Sequence, residues 1–353
     1  MTPAVALAPS FAAMENLATE SKVAVLLNAN AKRVSSKVHR ALSHVVPEDD
    51  LFFSRSTLEA RNIARTVVDR RYRTVFTGGG DGTFVSFVTE ILSYLKGTDR
   101  PMPRVGVLKL GTGNALAGMV GATSGQGVLD DVLRARAGEV PCVRRIDLIE
   151  ANDRATPFAG VGLDAAILND YGAVRRRLCA GPLKKLSTGA PGYAIAAATR
   201  TVPRYLVNRK MPEIEVINGK GVATLLGPDG NPVREFGEGE VLFRGPAQMC
   251  AASTVPFYGF NFKMFPFAGL VPGKMQLRVT NVAPLTILTH LGSIWKGRFR
   301  HPDIFDFHVE EFTVRSNEPL PLQVGGDAEG YGDELTFGLA PRRVELVDYS
   351  MLN

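Results

Sequence analysis

Short, continuous apolar runs alternate with stretches of helical apolar spacing through the first half of the chain. Val23-Ala24-Val25-Leu26-Leu27-Asn28 predicts a strand buried on both faces of a parallel sheet. Val34, Val38, Leu42 and Val45 then recur with a helical period. Leu51-Phe52-Phe53 predicts a second strand leading to Ser54 and Ser56, either of which can cap a helix carrying Leu58, Ile63, Val67 and Val68. Thr74-Val75-Phe76-Thr77 predicts a third strand, stopped by Gly78-Gly79-Gly80-Asp81-Gly82-Thr83, after which Phe84, Phe87, Val88, Ile91, Leu92 and Leu95 resume the helical period. Arg104 to Leu110 predicts a fourth strand, ended by Gly111-Thr112-Gly113-Asn114 and followed by an Ala-rich helical stretch. This βαβα order predicts an open, doubly wound α/β sheet with right-handed crossovers.

The pattern changes after Arg145. Strand-like runs separated by Gly, Pro and Asn dominate: Glu213 to Ile217, Gly221 to Leu226, Glu240 to Phe243, Lys274 to Thr280, His308 to Val314, Leu322 to Val324 and Leu335 to Phe337. They predict an antiparallel β domain, decorated by helices over about Asp164 to Leu178 and Pro191 to Val202. The last apolar run, Val344-Glu345-Leu346-Val347, suits either domain. The predicted organisation is an extension over 1–21, an α/β domain over 22–150, a β-rich domain over 151–340, and a tail over 341–353 that can return to the first domain.

Composition agrees with a folded protein. Of 353 residues, 45% are apolar and 22% charged, which excludes the polar low-complexity classes. The net charge of +6 suits an anionic ligand, an anionic membrane surface or nucleic acid, but no RRM, KH or helix-turn-helix pattern accompanies it, so nucleic acid is not expected. Cys142, Cys179 and Cys250 are too scattered for a disulfide framework or a CxxC site, and a reducing cytoplasm is the simplest context. The first twenty residues lack the basic start of a secretory signal, and no stretch reaches the roughly 18 apolar residues of a membrane span.

Both glycine turns fall at predicted strand ends, where open α/β sheets bind ligands. Gly78 to Gly82 removes nearly every β-carbon from its turn, so backbone N–H groups can approach a phosphate, with the next helix's N-terminus behind them and the Thr83 hydroxyl beside them. Gly111 to Asn114 offers further donors. Asp81 would repel a phosphate unless a divalent cation or a transferable proton lies between, and therefore points to magnesium or proton handling. No GxxxxGK[ST], completed GxGxxG, HRD or DFG occurs.

Gly79-Gly80-Asp81-Gly82-Thr83 is similar to the GGDGT signature of the diacylglycerol, sphingosine and ceramide kinase superfamily, a signature shared by NAD kinases. Leu110-Gly111-Thr112-Gly113-Asn114-Ala115 resembles that family's second nucleotide motif, and Gly160-Val161-Gly162-Leu163-Asp164-Ala165 resembles the segment that opens its second domain. Gly181-Pro182-Leu183 through Gly192-Tyr193, Tyr258-Gly259 with Pro266-Phe267-Ala268, and Gln323 to Glu329 follow in family order, so the resemblance spans about residues 22 to 347.

The resemblance implies an α/β nucleotide-binding domain joined to an antiparallel β-sandwich domain, with ATP and magnesium in the cleft between them. It implies that Asn28, Ser54, Gly78, Gly79, Gly80, Asp81, Gly82, Thr83 and Thr112 surround ATP, with Ser56 competing for the place of Ser54. Asp327-Ala328-Glu329 stands where the family has a DGE-like motif, which makes Asp327 the expected general base, with Glu329 and Asp81 as competitors and Glu329 also a nucleotide contact. Asp164 matches the family carboxylate that meets the lipid headgroup, and Asp81 is the magnesium ligand that would travel with ATP. Pro272-Gly273 replaces the Asp-Gly with which bacterial relatives bind a structural magnesium, so that second site is not expected.

The implied activity is phosphoryl transfer from ATP to the primary hydroxyl of a membrane lipid, with diacylglycerol ahead of ceramide or a sphingoid base. NAD kinase, which Leu168-Asn169-Asp170 resembles in part, and a non-catalytic ATP-binding protein are the rivals. A protein acting on such a lipid works at the inner face of the membrane as a peripheral protein. Pro284, Leu285, Ile287, Leu288, Leu291, Ile294 and Trp295 have helical apolar spacing ahead of Lys296, Arg298 and Arg300, a stripe that suits core packing or a bilayer surface. Arg175-Arg176-Arg177 with Lys184-Lys185 forms a second basic cluster, and the oligomeric state is open, a homodimer included.

Overall fold

The continuous apolar runs become strands buried on both faces. In the computed structural model, which describes residues 22–31, 33–111, 115–139, 142–178, 199–200, 211–258 and 262–350, strands β1 (Val23–Asn28) and β3 (Thr74–Gly79) are almost wholly buried. β2 (Leu51–Ser54) and β3 flank β1, and β4 (Arg104–Lys109) follows β3, all in parallel register. Because successive side chains of a strand point to opposite faces, Val23, Val25 and Leu27 pack with Leu42 of helix α1 (Ser36–Ser43) and Val132 of the helix Gly127–Arg136. Ala24 and Leu26 pack on the other face with Ala64 and Val67 of α2 (Thr57–Asp69) and with Phe87 and Ile91 of α3 (Asp81–Leu95). Each such large side chain contributes about 1.5–3 kcal/mol on leaving water.

The last apolar run joins this sheet. The strand Val344–Asp348 pairs in parallel with β4, and the full order is β2, β1, β3, β4, then this C-terminal strand, then Cys142–Ile146. Polar contacts fix the return: the Tyr349 hydroxyl donates to the Asp131 carbonyl at 2.7 Å, and Arg144 Nε donates to Asp348 Oδ2 at 2.8 Å. The first compact unit accordingly runs up to Gly111 and includes Ala117–Arg144 and the segment from Glu345 onward, while Arg145–Val344 belongs to the second. The division falls at Arg144/Arg145 and Val344/Glu345, a few residues from the expected 150/151 and 340/341.

The second unit is an antiparallel β domain whose strands form one continuously hydrogen-bonded sheet. The chain crosses between its two parts at Glu310, which splits the single strand expected from His308 to Val314 into Ile304–Val309 and Glu311–Val324. The former pairs with Met275–Thr280, the latter with Glu213–Lys220 over its first half and with Phe158–Gly162 over its second. Register shifts between Arg315 and Leu320 and between Pro321 and Gln323 bend the long strand as it passes from one neighbour to the other. Leu322 to Val324 and Leu335 to Phe337 are therefore pieces of longer strands, Glu311–Val324 and Asp327–Leu339, whose exposed pairs Arg315/Glu334 and Thr313/Thr336 mask the apolar pattern. The enclosed core includes Val161, Val216, Leu277, Phe307, Phe312 and Phe337.

A buried ion pair sits within this unit. Arg278 forks onto Asp306 with Nε to Oδ1 and Nη2 to Oδ2 both at 2.8 Å, and Gln276 Nε2 donates to the same Oδ1.

The stripe from Pro284 to Trp295 departs from the single helix its spacing predicts. It forms two short helices, Pro284–Thr289 and Leu291–Trp295, broken at His290, and its Leu285, Leu291 and Trp295 are exposed while Ile294 is buried. The extension 1–21, Cys179, Lys184, Lys185, the motif Gly181 to Tyr193, Gly259 and most of the helix expected over Pro191 to Val202 lie outside the described residues. Arg175, Arg176 and Arg177 fall within the helix Leu163–Leu178.

Candidate functional site

In the strand order β2, β1, β3, the chain changes winding direction between β1 and β3, and the crevice beyond the carboxyl ends of those strands is where such sheets bind ligands. Asn28 and Ser54 end β1 and β2 as register partners. Asn28 Nδ2 donates to Thr83 Oγ1 at 3.0 Å, and its Oδ1 accepts from the N–H of Asn30 at 2.9 Å. The side chain thus bridges the end of β1 to the first turn of α3. Ser56 is occupied elsewhere: its hydroxyl accepts from the N–H of Glu59 at 3.2 Å as the cap of α2, while Glu59 reaches back to the N–H of Arg55. That leaves Ser54 as the strand-end serine beside Asn28.

The glycines are needed for close approach. A β-carbon on Gly79 would lie 2.2 Å from Thr83 Oγ1, and one on Gly78 would lie 2.4 Å from Leu27 Cδ2. One on Gly111 would lie 2.2 Å from Gly80 Cα and 2.7 Å from the Gly80 nitrogen, so the two glycine loops touch backbone to backbone. Gly82 faces open space, with nothing within 4 Å of its missing β-carbon. Gly80 caps α3 without a side-chain hydrogen bond, the situation in which an anion can complete a helix's first turn. Asp81 opens the helix, half-buried. Thr112, Gly113 and Asn114 lie outside the described residues.

These features fit a nucleotide phosphate: a β-carbon-free cradle, a helix N-terminus, and the Asn28, Ser54 and Thr83 polar groups at the strand ends. Among the described residues no three His, Cys, Asp or Glu side chains gather into a metal site. A magnesium ion carried by phosphate oxygens would need only one or two protein carboxylates, and Asp81, at the start of α3, is the carboxylate beside the glycine turn that could hold it.

The other predicted residues lie in the second unit, joined by a chain of hydrogen bonds. Asp164, in the first turn of the helix Leu163–Leu178, receives the Tyr258 hydroxyl on Oδ2, and Gln323 Nε2 lies 3.4 Å from the same oxygen and 2.6 Å from the Tyr258 hydroxyl. Asp164 Oδ1 is sealed from solvent without a hydrogen-bond partner among the described residues. Burial pushes the Asp164 carboxyl up to about 6, against the opposing hydrogen bonds from Tyr258, the backbone N–H groups of Ala165 and Asp164 itself, and Gln323. Gln323 Oε1 in turn accepts from the N–H of Gly326 at 3.1 Å, in the Gly325-Gly326 turn where both residues have positive φ, and that turn delivers Asp327.

Asp327 and Glu329 are held by a cation. Arg154 Nη2 donates to Asp327 Oδ2 at 2.9 Å, its Nη1 pairs with Glu329 Oε1, and Asn152 Nδ2 donates to Glu329 Oε2 at 3.2 Å. The expected general base is therefore ion-paired. Arg154 and Asn152 are functional candidates that sequence reasoning missed. Asn152 lies in the tight turn, and Arg154 opens the second strand, of the hairpin Ile149–Ala151 to Arg154–Thr156, whose turn residues Asn152 and Asp153 have φ +50° and +58°. An Asn-Asp pair between short β-prone runs is a hairpin signal that could have revealed them. Asp147, near Pro272-Gly273, is engaged by the Arg343 guanidinium at 2.8 and 2.9 Å and by the Gly273 N–H at 3.0 Å.

Residues 22–145 match the family model of the diacylglycerol kinase catalytic domain. No curated protein matches the sequence. Two solved structures from Bacillus anthracis str. Sterne are similar over nearly their whole length. One, a diacylglycerol kinase, is 14% identical with a TM-score of 0.59, over 94% of this chain and 98% of that one. Another, solved as a candidate diacylglycerol kinase, is 16% identical with a TM-score of 0.62, over 94% of this chain and 99% of that one. At such identities the likeness speaks for the fold: an α/β unit followed by an antiparallel β unit. The glycine cradle lies inside the matched segment, so residues 22–145 are similar to the diacylglycerol kinase catalytic domain, and the chain as a whole shares the fold of these solved structures.

Proposed function

We propose that this protein transfers the γ-phosphoryl group of ATP, with magnesium, to the primary hydroxyl of a membrane lipid, and that the lipid is diacylglycerol. The observation that carries the reading is the cradle at the β1/β3 switch, where Gly79 and Gly111 leave no room for a β-carbon and Asn28 positions Thr83. Phosphoryl transfer passes through a loose transition state in which positioning and charge neutralisation do most of the work. The first unit supplies both: backbone N–H groups and the α3 N-terminus hold the phosphates, and Asp81 holds the ion that accompanies them.

The second unit supplies the acceptor side. Asp327 orients the attacking hydroxyl and takes its proton late in the transfer, and its pairing with Arg154 fixes the carboxylate in place. Asp164 reads the headgroup. Buried and engaged by the Tyr258 hydroxyl, it accepts a hydrogen bond from a headgroup hydroxyl.

The test is transfer of labelled phosphate from ATP to diacylglycerol, ceramide, sphingosine and NAD, each offered separately, the lipids in mixed micelles. Phosphatidic acid as the main product is expected. Product with ceramide or sphingosine alone would transfer the reading to that lipid, and product with NAD alone would overturn it.

A further inference from the structure

Residues 284–300 contain no Asp or Glu but carry Lys296, Arg298 and Arg300 together with seven large apolar side chains, counting Phe299 and excluding Pro284: Leu285, Ile287, Leu288, Leu291, Ile294 and Trp295 are the others. A stripe of this kind ordinarily turns its apolar side chains into a core. Here the break at His290 divides the helix, Ile294 alone of the three side chains near the second helix's end is buried, at 6% exposure, and Leu285, Leu291 and Trp295 stand 63%, 45% and 45% exposed. Single exposed leucines are unremarkable in a folded protein. Three large apolar side chains on one short, acid-free, basic-tailed segment are a different matter.

The segment is held firmly from below. The Trp295 ring packs on Phe262 at 5.3 Å between centroids, Lys263 donates its N–H to the Trp295 carbonyl at 3.1 Å, and the Arg300 guanidinium lies 5.2 Å from the Phe267 ring centroid while Nη1 bonds the Gly297 and Phe299 carbonyls at 2.9 Å. The loop that provides this support continues into Leu270 and Val271, themselves 65% and 41% exposed. The packing fixes Trp295 in place while leaving it 45% exposed. Lys296 and Arg298 are exposed as well.

We infer that residues 284–300 are the element with which this protein docks on an anionic bilayer: Leu285, Leu291 and Trp295 enter the headgroup and acyl boundary, while Lys296 and Arg298 meet lipid phosphates. The occupant is argued from charge. An acid-free segment ending in fixed cations complements a negative surface, and its exposed apolar residues gain by burial in the boundary region. The inference concerns the lipid surface and not the reaction, and it stands whether or not the acceptor is diacylglycerol.

Trp295 is the only tryptophan of the chain, so the element carries its own reporter. The full chain is mixed with vesicles of phosphatidylcholine, with and without phosphatidylglycerol, and both the sedimented fraction and the tryptophan emission are followed. Binding to the phosphatidylglycerol vesicles, a blue shift, and quenching by acyl-chain-brominated lipid are expected. Leu285→Ser with Leu291→Ser should weaken binding by at least about tenfold, and Lys296→Gln with Arg298→Gln by about fivefold per charge at low salt. Circular dichroism checks that each variant is folded. Binding without any change in Trp295 emission, or no binding to anionic vesicles, would overturn the inference. The kinase reading is tested apart from it with a short-chain, water-soluble diacylglycerol, on which the docking variants should turn over like the parent; loss of turnover there by the parent itself would count against the kinase reading and not against docking.

Discussion

Asp164→Asn isolates the cost of keeping a carboxyl beneath the second unit's surface. In the folded chain this group titrates near 6 instead of the ordinary 3.8, because burial outweighs the hydrogen bonds from Tyr258, the local backbone and Gln323. The interval is worth about 3 kcal/mol, at about 1.4 kcal/mol for each pH unit. Its sign follows from proton counting: the folded state binds the proton more tightly than the unfolded state, so the native advantage is full below about 3.8 and is lost as the pH rises through 6. Asparagine keeps the shape and an acceptor for Tyr258 but never ionises. The stability of the variant minus that of the parent should therefore grow by about 2–2.5 kcal/mol between pH 4 and pH 7.5, other titrations cancelling in the difference. Urea unfolding followed by the emission of Trp295, the single tryptophan and a residue of the same unit as Asp164, measures it directly. A difference that stays flat across this range, or falls with rising pH, would refute the reasoning.

Further substitutions probe the site and its supports. Gly111→Ala drives a methyl group into the Gly80 backbone and should cost about 1–3 kcal/mol in thermal unfolding and abolish nucleotide binding in calorimetry, whereas Gly82→Ala, which meets nothing within 4 Å, should leave the melting temperature intact and impair only the nucleotide affinity. Arg154→Met frees Asp327 and leaves Glu329 to Asn152 alone; kcat should drop by up to about 100-fold through misplacement, with the KM for ATP little changed. Ser56→Ala removes the α2 cap and should cost about 1 kcal/mol in denaturant unfolding. Arg278→Leu leaves Asp306 buried and unpaired and should cost about 3–5 kcal/mol, much of which a second change, Asp306→Leu, should recover.

Much of the first unit is legible in sequence because its strands are short, buried on both faces and punctuated by glycine. Val23–Asn28 and Arg104–Lys109 coincide with their apolar runs to within a residue. The glycine turns are legible because only backbone free of β-carbons can bring Gly79 beside Thr83 and Gly111 beside Gly80. The second unit is less legible. Its long strands carry exposed polar ladders such as Arg315/Glu334, and the kink that carries Glu311–Val324 from one neighbour to another depends on partners far away in sequence.

By itself, then, the sequence determined the order of elements, the change from α/β to antiparallel β near Arg145, and the position of the tight glycine turns, since local periodicity and the absence of side chains are properties of consecutive residues. Only the tertiary structure decided that Val344–Asp348 returns to the first sheet, that Ser56 is a cap, that Asp164 shares a proton network with Tyr258 and Gln323, and that Arg154 grips Asp327. It also decided that Leu285, Leu291 and Trp295 face outward. These outcomes rest on contacts between residues far apart in the chain, and on which face of an element the rest of the fold covers. No local pattern carries that information.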